Sequence, residues 1–274
     1  MAGLAVAAGA LALASGGGTA LGEGEATFKV EIENLSQRGQ PFTPALLAVH
    51  SAAADLFEVG EPASPELQQI AENGNLPPLI ELLEGSAAVS AVVVGSGPIL
   101  PRQTHVLMVR GDDDSYLSWV SMLICTNDGF AGIDSLALAD IEGSVTLDVN
   151  AYDAGTEVNT QDFADMVPPC QGLVGVSSPD EGTGASNPDL AEGGVVAMHA
   201  GVFGGNDLTA SHMWTGPIAR VTITRVGISP PSTGSGGLLS GTNGSSGWLL
   251  AAMTGLALAL TAGAAARYAR RKAA

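Results

Sequence analysis

The residues best suited to chemistry are carboxylates that follow strand-like segments. Asp128 follows the apolar run "SWVSMLICTN", and Asp153 and Glu157 lie in "YDAGTE" after the alternating run "GSVTLDV". This pair is four positions apart with Gly155 between, so a loop can turn both carboxylates toward one point. Calcium takes six to eight oxygen ligands, which separate loops can supply. Spacing alone leaves two interpretations open, a calcium loop or Asx-turns that close hairpins.

Other polar clusters predict less chemistry. The "GDDDS" run at Asp112–Asp114 is typical of a solvated hairpin turn. His199 and His212 lack a metal-ligand spacing such as H-x-x-x-H, which favours strand or loop histidines over a zinc site. A pair of carboxylates would suit glycoside hydrolysis, but aromatic residues make up only 4% of the chain and such clefts are rich in them. We therefore predict that the protein is not an enzyme.

The charge of the chain is strongly negative and unevenly placed. The formal net charge is −18, and four of the ten basic residues, Arg267, Arg270, Arg271 and Lys272, lie in the last eight positions. Nucleic-acid binding needs a basic surface, so this composition excludes it. An acidic surface favours cation binding or solubility at high ionic strength.

Both ends of the chain resemble targeting segments. Residues 1–22 are apolar and small, which predicts a signal peptide, although no Lys or Arg precedes Lys29. Residues 248–266 are 19 uncharged residues, close to the ~20 that span a bilayer, and predict a transmembrane helix. A Gly/Ser/Pro-rich linker at 229–247 and a basic cytoplasmic tail at 267–274 flank it. These features predict an exported, single-pass membrane protein whose central part is extracellular or periplasmic.

Two cysteines, Cys125 and Cys170, would then lie in an oxidising compartment. A disulfide between them would close a long loop and stabilise the fold by ~4 kcal/mol in the chain-entropy model. The alternative is two unrelated buried thiols, because sequence does not show whether the two residues are close.

The distribution of secondary structure predicts an all-β fold. "SPELQQIAENGN" (64–75) begins with an N-cap serine and a proline and predicts a short helix, and 76–86 predicts a second short helix or a turn. Residues 171–193 predict a long acidic loop. Alternating or apolar runs between turn signals predict strands at 26–36, 44–51, 88–99, 104–111, 115–126, 143–153, 193–202 and 216–227. We expect an antiparallel β-sandwich with one or two short helices, plus the C-terminal transmembrane helix.

Four segments resemble the spondin domain in the form found in bacterial exported proteins. They are "LFEVGEPASPELQQIAENGN", "YLSWVSMLICTNDGFAGIDSLAL", "AYDAGTEVN" and "WTGPIARVTITRV", and they occur in the family's order within a domain predicted at 26–228. The resemblance implies a fold similar to the calcium- and phospholipid-binding β-sandwich. It also implies a structural Ca²⁺ ion held by Asp128, Asp153 and Glu157, the last in place of the family's aspartate.

The resemblance also sets the expected function. We expect a cell-surface, membrane-anchored domain that acts as a calcium-stabilised binding or adhesion module. Its expected partners are the membrane, through the C-terminal helix, and an extracellular protein or surface polymer. A bridge from Cys125 to Cys170 would tie the calcium-loop end to the segment after Asp165. The alternatives are a structural envelope protein without a specific ligand and a hydrolase that uses the acidic loops.

Overall fold

The computed structural model describes residues 25–204 and 206–226, which form two antiparallel sheets and three short α-helices. The strands are β1 Ala26–Asn34, β2 Leu46–His50, β3 Val89–Val94, β4 Thr104–Gly111, β5 Tyr116–Met122, β6 Gly129–Ala137, β7 Ser144–Val149, β8 Ala151–Asp153, β9 Ala197–Met198 and β10 Ala219–Val226. The helices are α1 Pro65–Asn73, α2 Pro77–Glu84 and α3 Pro169–Val174.

The smaller sheet has four strands in the order β4-β1-β10-β7. In β1 the side chains alternate strictly, so that Phe28, Val30 and Ile32 are fully buried while the charged residues between them face outward. This is the period of two that a half-buried strand requires. The predicted strand at 26–36 is confirmed, and its apolar face forms one wall of the core between the sheets.

The larger sheet has six strands in the order β3-β2-β5-β6-β8-β9, and its inner strands are covered on both faces. One face contributes Leu47, Val49 and Trp119 to the core shared with the four-stranded sheet. The opposite face packs under α1 and the segments around it, where Leu46, Met122 and Ile70 belong to a second core. Because β2 and β5 lie between two apolar layers, their sequences are apolar almost without alternation.

Helix α1 has the ends that the sequence predicts. Ser64 accepts a hydrogen bond from the backbone N–H of Leu67 at 3.1 Å, and Pro65 occupies the first turn. Gly74 ends the helix with a left-handed backbone, at φ +62°. The prediction of a helix at 64–75 is confirmed, and the segment at 76–86 is a helix as well.

The membrane part of the predicted fold is corrected. Within the described ranges no helix is long and apolar enough to cross a bilayer. The longest, α1, has nine residues and is about 14 Å long, against the ~20 residues that a span needs. The predicted span at 248–266 lies outside the described residues, as do the predicted signal peptide, linker and basic tail.

Four local predictions are also corrected. The described part contains three α-helices instead of one or two, because α3 begins at Pro169 and takes the first residues of the predicted loop at 171–193. The predicted strand at 143–153 is two strands in different sheets, β7 and β8, and the predicted strand at 193–202 is reduced to β9. The acidic run at 112–114 is exposed as predicted, but it links β4 to β5 in the other sheet and therefore closes no hairpin.

Candidate metal centre

Two of the predicted ligands lie at the same end of two neighbouring strands in the six-stranded sheet. Asp128 immediately precedes β6 and Asp153 ends β8, and the antiparallel register pairs Gly129 with Asp153. The backbone N–H of Ala154 donates to the carbonyl of Asp128 at 3.1 Å, which extends the pairing past the strand ends. Strand pairing therefore brings together two carboxylates that are 25 positions apart in the sequence.

The Asp128 side chain is fully buried and its two oxygens differ. Oδ2 accepts from the backbone N–H groups of Thr156 at 2.8 Å and Glu157 at 3.1 Å, and from the Thr156 hydroxyl at 3.3 Å. Oδ1 is buried and has no hydrogen-bond partner in the described part of the chain. Burial, and then the charge of Asp153, raise the pKa of Asp128 to about 7 although the hydrogen bonds oppose the shift. Among the described residues this carboxylate has no positively charged partner.

Asp153 shapes the loop that follows it. Its Oδ1 accepts from the backbone N–H of Gly155 at 2.8 Å and its Oδ2 from the side-chain amide of Asn159 at 2.6 Å. Gly155 has φ +69°, and a Cβ there would lie 2.6 Å from the backbone nitrogen of Val195. The glycine in "DAGTE" is therefore required by both backbone conformation and a close chain approach.

Glu157 contacts Asp128 through its backbone, while its carboxylate has a separate partner. The side chain is 3% exposed, and Oε1 accepts from the backbone N–H of Asn187 at 2.7 Å. Burial is the main cause that raises the pKa of Glu157 to about 7; the charges of Glu72, Asp128 and Asp165 add to the rise, and the Asn187 hydrogen bond opposes it.

The three predicted ligands do not form one tight group. In the part of the chain that the structure describes, a tight acidic group is formed instead by Asp162, Asp180 and Asp207. One carboxylate oxygen of each lies within 4.8 Å of those of the other two. Each of these side chains is half-buried, and Asp207 Oδ2 accepts from the backbone N–H of Phe163 at 2.9 Å. Sequence reasoning missed this group because its members lie on three loops whose separation in the chain carries no spacing signal.

His199 and His212 each bind a backbone N–H of their own turn. His199 Nδ1 accepts from Gly201 at 2.9 Å, and its ring lies edge-on to Trp214. His212 Nδ1 accepts from Thr209 at 3.0 Å. Burial lowers the pKa of both rings. These contacts are those of turn-closing histidines, the alternative to zinc that the sequence favours.

A disulfide joins the turn before β6 to α3. Cys125 and Cys170 are bonded, with their Cα atoms 5.1 Å apart. Cys125 lies three residues before Asp128, and both cysteines are fully buried in the second core. The bridge therefore restrains the turn that carries Asp128.

A comparison with protein families finds a match that includes these strand ends. Residues 33–166 match the family model described as Spondin_N. This match supports the assignment of the chain to the spondin-domain family. The match begins inside β1, ends at Met166 and includes Asp128, Asp153 and Glu157. No curated protein sequence matches the chain.

The family match indicates a domain of extracellular type. In the structure, the spondin match includes β2 to β8 and the last two residues of β1, and β10 completes the four-stranded sheet from outside the matched range by pairing with β1. The sandwich therefore includes residues on both sides of the family match.

Proposed function

We propose that this spondin domain is an exported binding module whose loop end is organised by a calcium ion at Asp128 and Asp153. The observation that carries the proposal is the Asp128 carboxylate, which is fully buried, beside a second carboxylate, and has one oxygen without a partner among the described residues. A cation on that oxygen would offset both the lost hydration and the repulsion. Bound Ca²⁺ would supply structural stabilisation.

The disulfide supports export. Disulfides form and persist in oxidising compartments such as the periplasm and the cell exterior. Cys125 and Cys170 are the only two cysteines of the chain and they are bonded to each other.

Exposed apolar side chains on the loops support a contact surface at the same end. Val158 follows Glu157 and is 48% exposed, and Met198, on β9 beside β8, is 55% exposed. Phe203 is 68% exposed, and its backbone N–H binds the side chain of Gln161 at 3.0 Å. Loops held by a rigid scaffold commonly carry binding residues, and exposed aromatic side chains commonly anchor an interface. We propose that an extracellular protein or surface polymer binds here.

The hydrolase alternative has less support. Asp128 is inaccessible to solvent, and its hydrogen bonds come from the backbone and hydroxyl of its own loop. A catalytic acid must reach the substrate that it protonates. This arrangement suits a structural ion better than a reacting one.

The test is calcium-dependent binding of the purified chain to a panel of immobilised extracellular-matrix proteins and polysaccharides. We expect binding to one class that is lost with EDTA, weakened in Phe203→Ser by removal of the apolar contact, and lost in Asp128→Asn. The matched control is Val94→Ser, an exposed valine on β3 far along the sheet from β8. Binding that is unchanged by EDTA, by Phe203→Ser and by Asp128→Asn would contradict the proposal.

A further inference from the structure

Strand β4 forms an open edge of the four-stranded sheet. Among the described strands it pairs with β1 and has no neighbour on its other side. The backbone N–H of Asn34 donates to the carbonyl of Gln103 at 2.9 Å, and hydrogen-bonded pairs alternate along an antiparallel ladder. By this alternation, the residues whose backbone N–H and C=O groups point to the open side are Thr104, Val106, Met108 and Arg110. An edge of this kind is a template for a further strand.

The same four residues give the edge an apolar centre on the outer face of the sheet. Val106 is 56% exposed and Met108 is 48% exposed, and they are neighbours on that face because alternate residues of a strand point the same way. Next to them, a groove of about 440 Å³ lies between β4 and β3, with the exposed Val94 in its wall. Strand β4 contains neither Lys nor Pro, the residues that commonly protect an edge from pairing.

The order of residues along β4 fits a second copy of the same strand. Two β4 strands can pair antiparallel about a twofold axis at Leu107, which sets Val106 of each copy opposite Met108 of the other. Residues that point to the open side then face each other, as hydrogen bonding requires. An axis one residue earlier would set Arg110 opposite Arg102 of the other copy, and an axis one residue later would set it opposite Val106. The axis at Leu107 therefore joins apolar residues without opposing like charges.

The same axis brings unlike charges together. It sets Arg110 of one copy opposite Thr104 of the other, and Thr104 is paired with Glu33 on β1. The backbones of Arg110 and Glu33 would then lie two strand spacings apart, about 10 Å, which two long side chains on one face can span. Neither residue makes an ion pair within the described part of the chain. Past the strand ends, the same count sets Asp112 of one copy opposite Arg102 of the other.

We propose that two copies of this chain dimerise through β4, with the strands antiparallel and Val106 of each copy opposite Met108 of the other. The four-stranded sheets of the two copies would then form one continuous sheet. Asp128 and Asp153 lie at strands of the other sheet. The inference therefore goes beyond the proposed function and does not depend on a calcium ion.

The test is sedimentation velocity of the purified full chain over a series of concentrations. We expect a concentration-dependent dimer in the unaltered chain and loss of that dimer in Val106→Lys, because pairing would bury the new charge against Met108 of the other copy. Thr222→Lys is the matched control. Thr222 lies in the same row of the outer face as Val106, two strands away from the open edge, so this variant should dimerise like the unaltered chain.

Exchange of charges tests the position of the axis. Arg110→Glu places a glutamate near Glu33 of the other copy, and Glu33→Arg places an arginine near Arg110, so each variant alone should dimerise more weakly than the unaltered chain. An equal mixture of the two variants should dimerise more strongly than either one, because each Arg110–Glu33 contact of the mixed dimer again joins unlike charges. Mixing would not restore a variant that had simply unfolded.

Three results would overturn the proposal. The first is an unaltered chain that stays monomeric at every concentration. The second is a dimer that persists in Val106→Lys, because the contact must then lie elsewhere on the chain. The third is a mixture of Arg110→Glu and Glu33→Arg that dimerises no better than either variant alone, which would exclude the pairing about Leu107.

Discussion

At the scale of single residues, the candidate centre is defined by Asp128, a carboxylate whose surroundings disfavour its ionised form. Asp128 accepts three hydrogen bonds on one oxygen and none from the described residues on the other. The hydrogen bonds favour the ionised form, whereas burial and Asp153 oppose it more strongly and raise its pKa to about 7. Metal binding would replace the proton as the source of neutralisation.

This raised pKa predicts the pH dependence of the metal-free chain. The folded state holds a proton on Asp128 up to a pH of about 7, whereas the unfolded chain releases it near 3.8. The folded state therefore binds more protons in this window, and the free energy of unfolding falls as pH rises from about 4 to about 7. Denaturant unfolding in EDTA across this range should show the fall, reduced in Asp128→Asn. Asp114→Asn, at an exposed position, should leave the slope unchanged. An equal slope in both variants would contradict the assignment to Asp128.

A second prediction for a single residue concerns Gly155. Gly155→Ala forces a side chain into a φ of +69° and places its Cβ 2.6 Å from the Val195 nitrogen. We expect a loss of ~1–3 kcal/mol in the free energy of unfolding, and weaker calcium binding because the "DAGTE" loop must move. Urea unfolding measures the first effect. Gly143→Ala is the control, since a Cβ at Gly143 meets open space; similar losses in both variants would count against the strain at Gly155.

At the scale of elements, strands bring the candidate ligands together and the disulfide restrains one of them. Asp128 and Asp153 meet because β6 and β8 are neighbours, and Cys125 ties the turn before β6 to α3. Strand pairing therefore holds Asp128 next to Asp153, and the disulfide restrains the turn that carries Asp128.

Replacing both cysteines tests this restraint. The chain-entropy model predicts that Cys125→Ser with Cys170→Ser lowers the free energy of unfolding by about 4 kcal/mol, since the bridge closes a long loop. We also expect a lower calcium affinity, because the turn that carries Asp128 becomes freer. Denaturant unfolding and calcium titration measure the two effects. An unchanged calcium affinity in the double variant would mean that the strands alone hold Asp128 in place.

Most of the elements could be predicted from sequence, and the failures have physical causes. The alternation in β1 and the caps of α1 are local signals, and both elements form as predicted. Strand β6 was missed because Gly129 and Gly132 are typical of turns. A Cβ at Gly132 would lie 2.6 Å from the Trp119 carbonyl oxygen, so the glycine serves close strand packing that no local pattern shows.

The candidate site was predictable in its residue types but only partly in its arrangement. The resemblance to the family supplied Asp128 together with Asp153, and the pairing of β6 with β8 gives them a common edge. The contacts of Glu157 with Asn187 depend on a loop 30 positions away, which spacing does not reveal.

At the scale of the whole molecule, the charges are divided between the two sheets. The Lys and Arg residues of the described ion pairs all lie in the four-stranded sheet. The six-stranded sheet and all three α-helices contain no Lys or Arg, although the buried carboxylates Asp128, Glu157 and Glu72 lie in their loops and in α1. We propose that a domain built this way depends on ions from solution to neutralise its acidic side.

Thermal unfolding of the purified chain in Ca²⁺, in Mg²⁺ and in EDTA, for the unaltered protein and for Asp128→Asn, tests that claim most directly. We predict that Ca²⁺ raises the Tm of the unaltered chain well above its value in EDTA, that Mg²⁺ raises it less, and that Asp128→Asn loses most of the calcium response. The stabilisation should grow with the logarithm of calcium concentration, as binding to the folded state alone requires. The same Tm in Ca²⁺ and EDTA for the unaltered chain, with no bound metal by elemental analysis, would contradict the account.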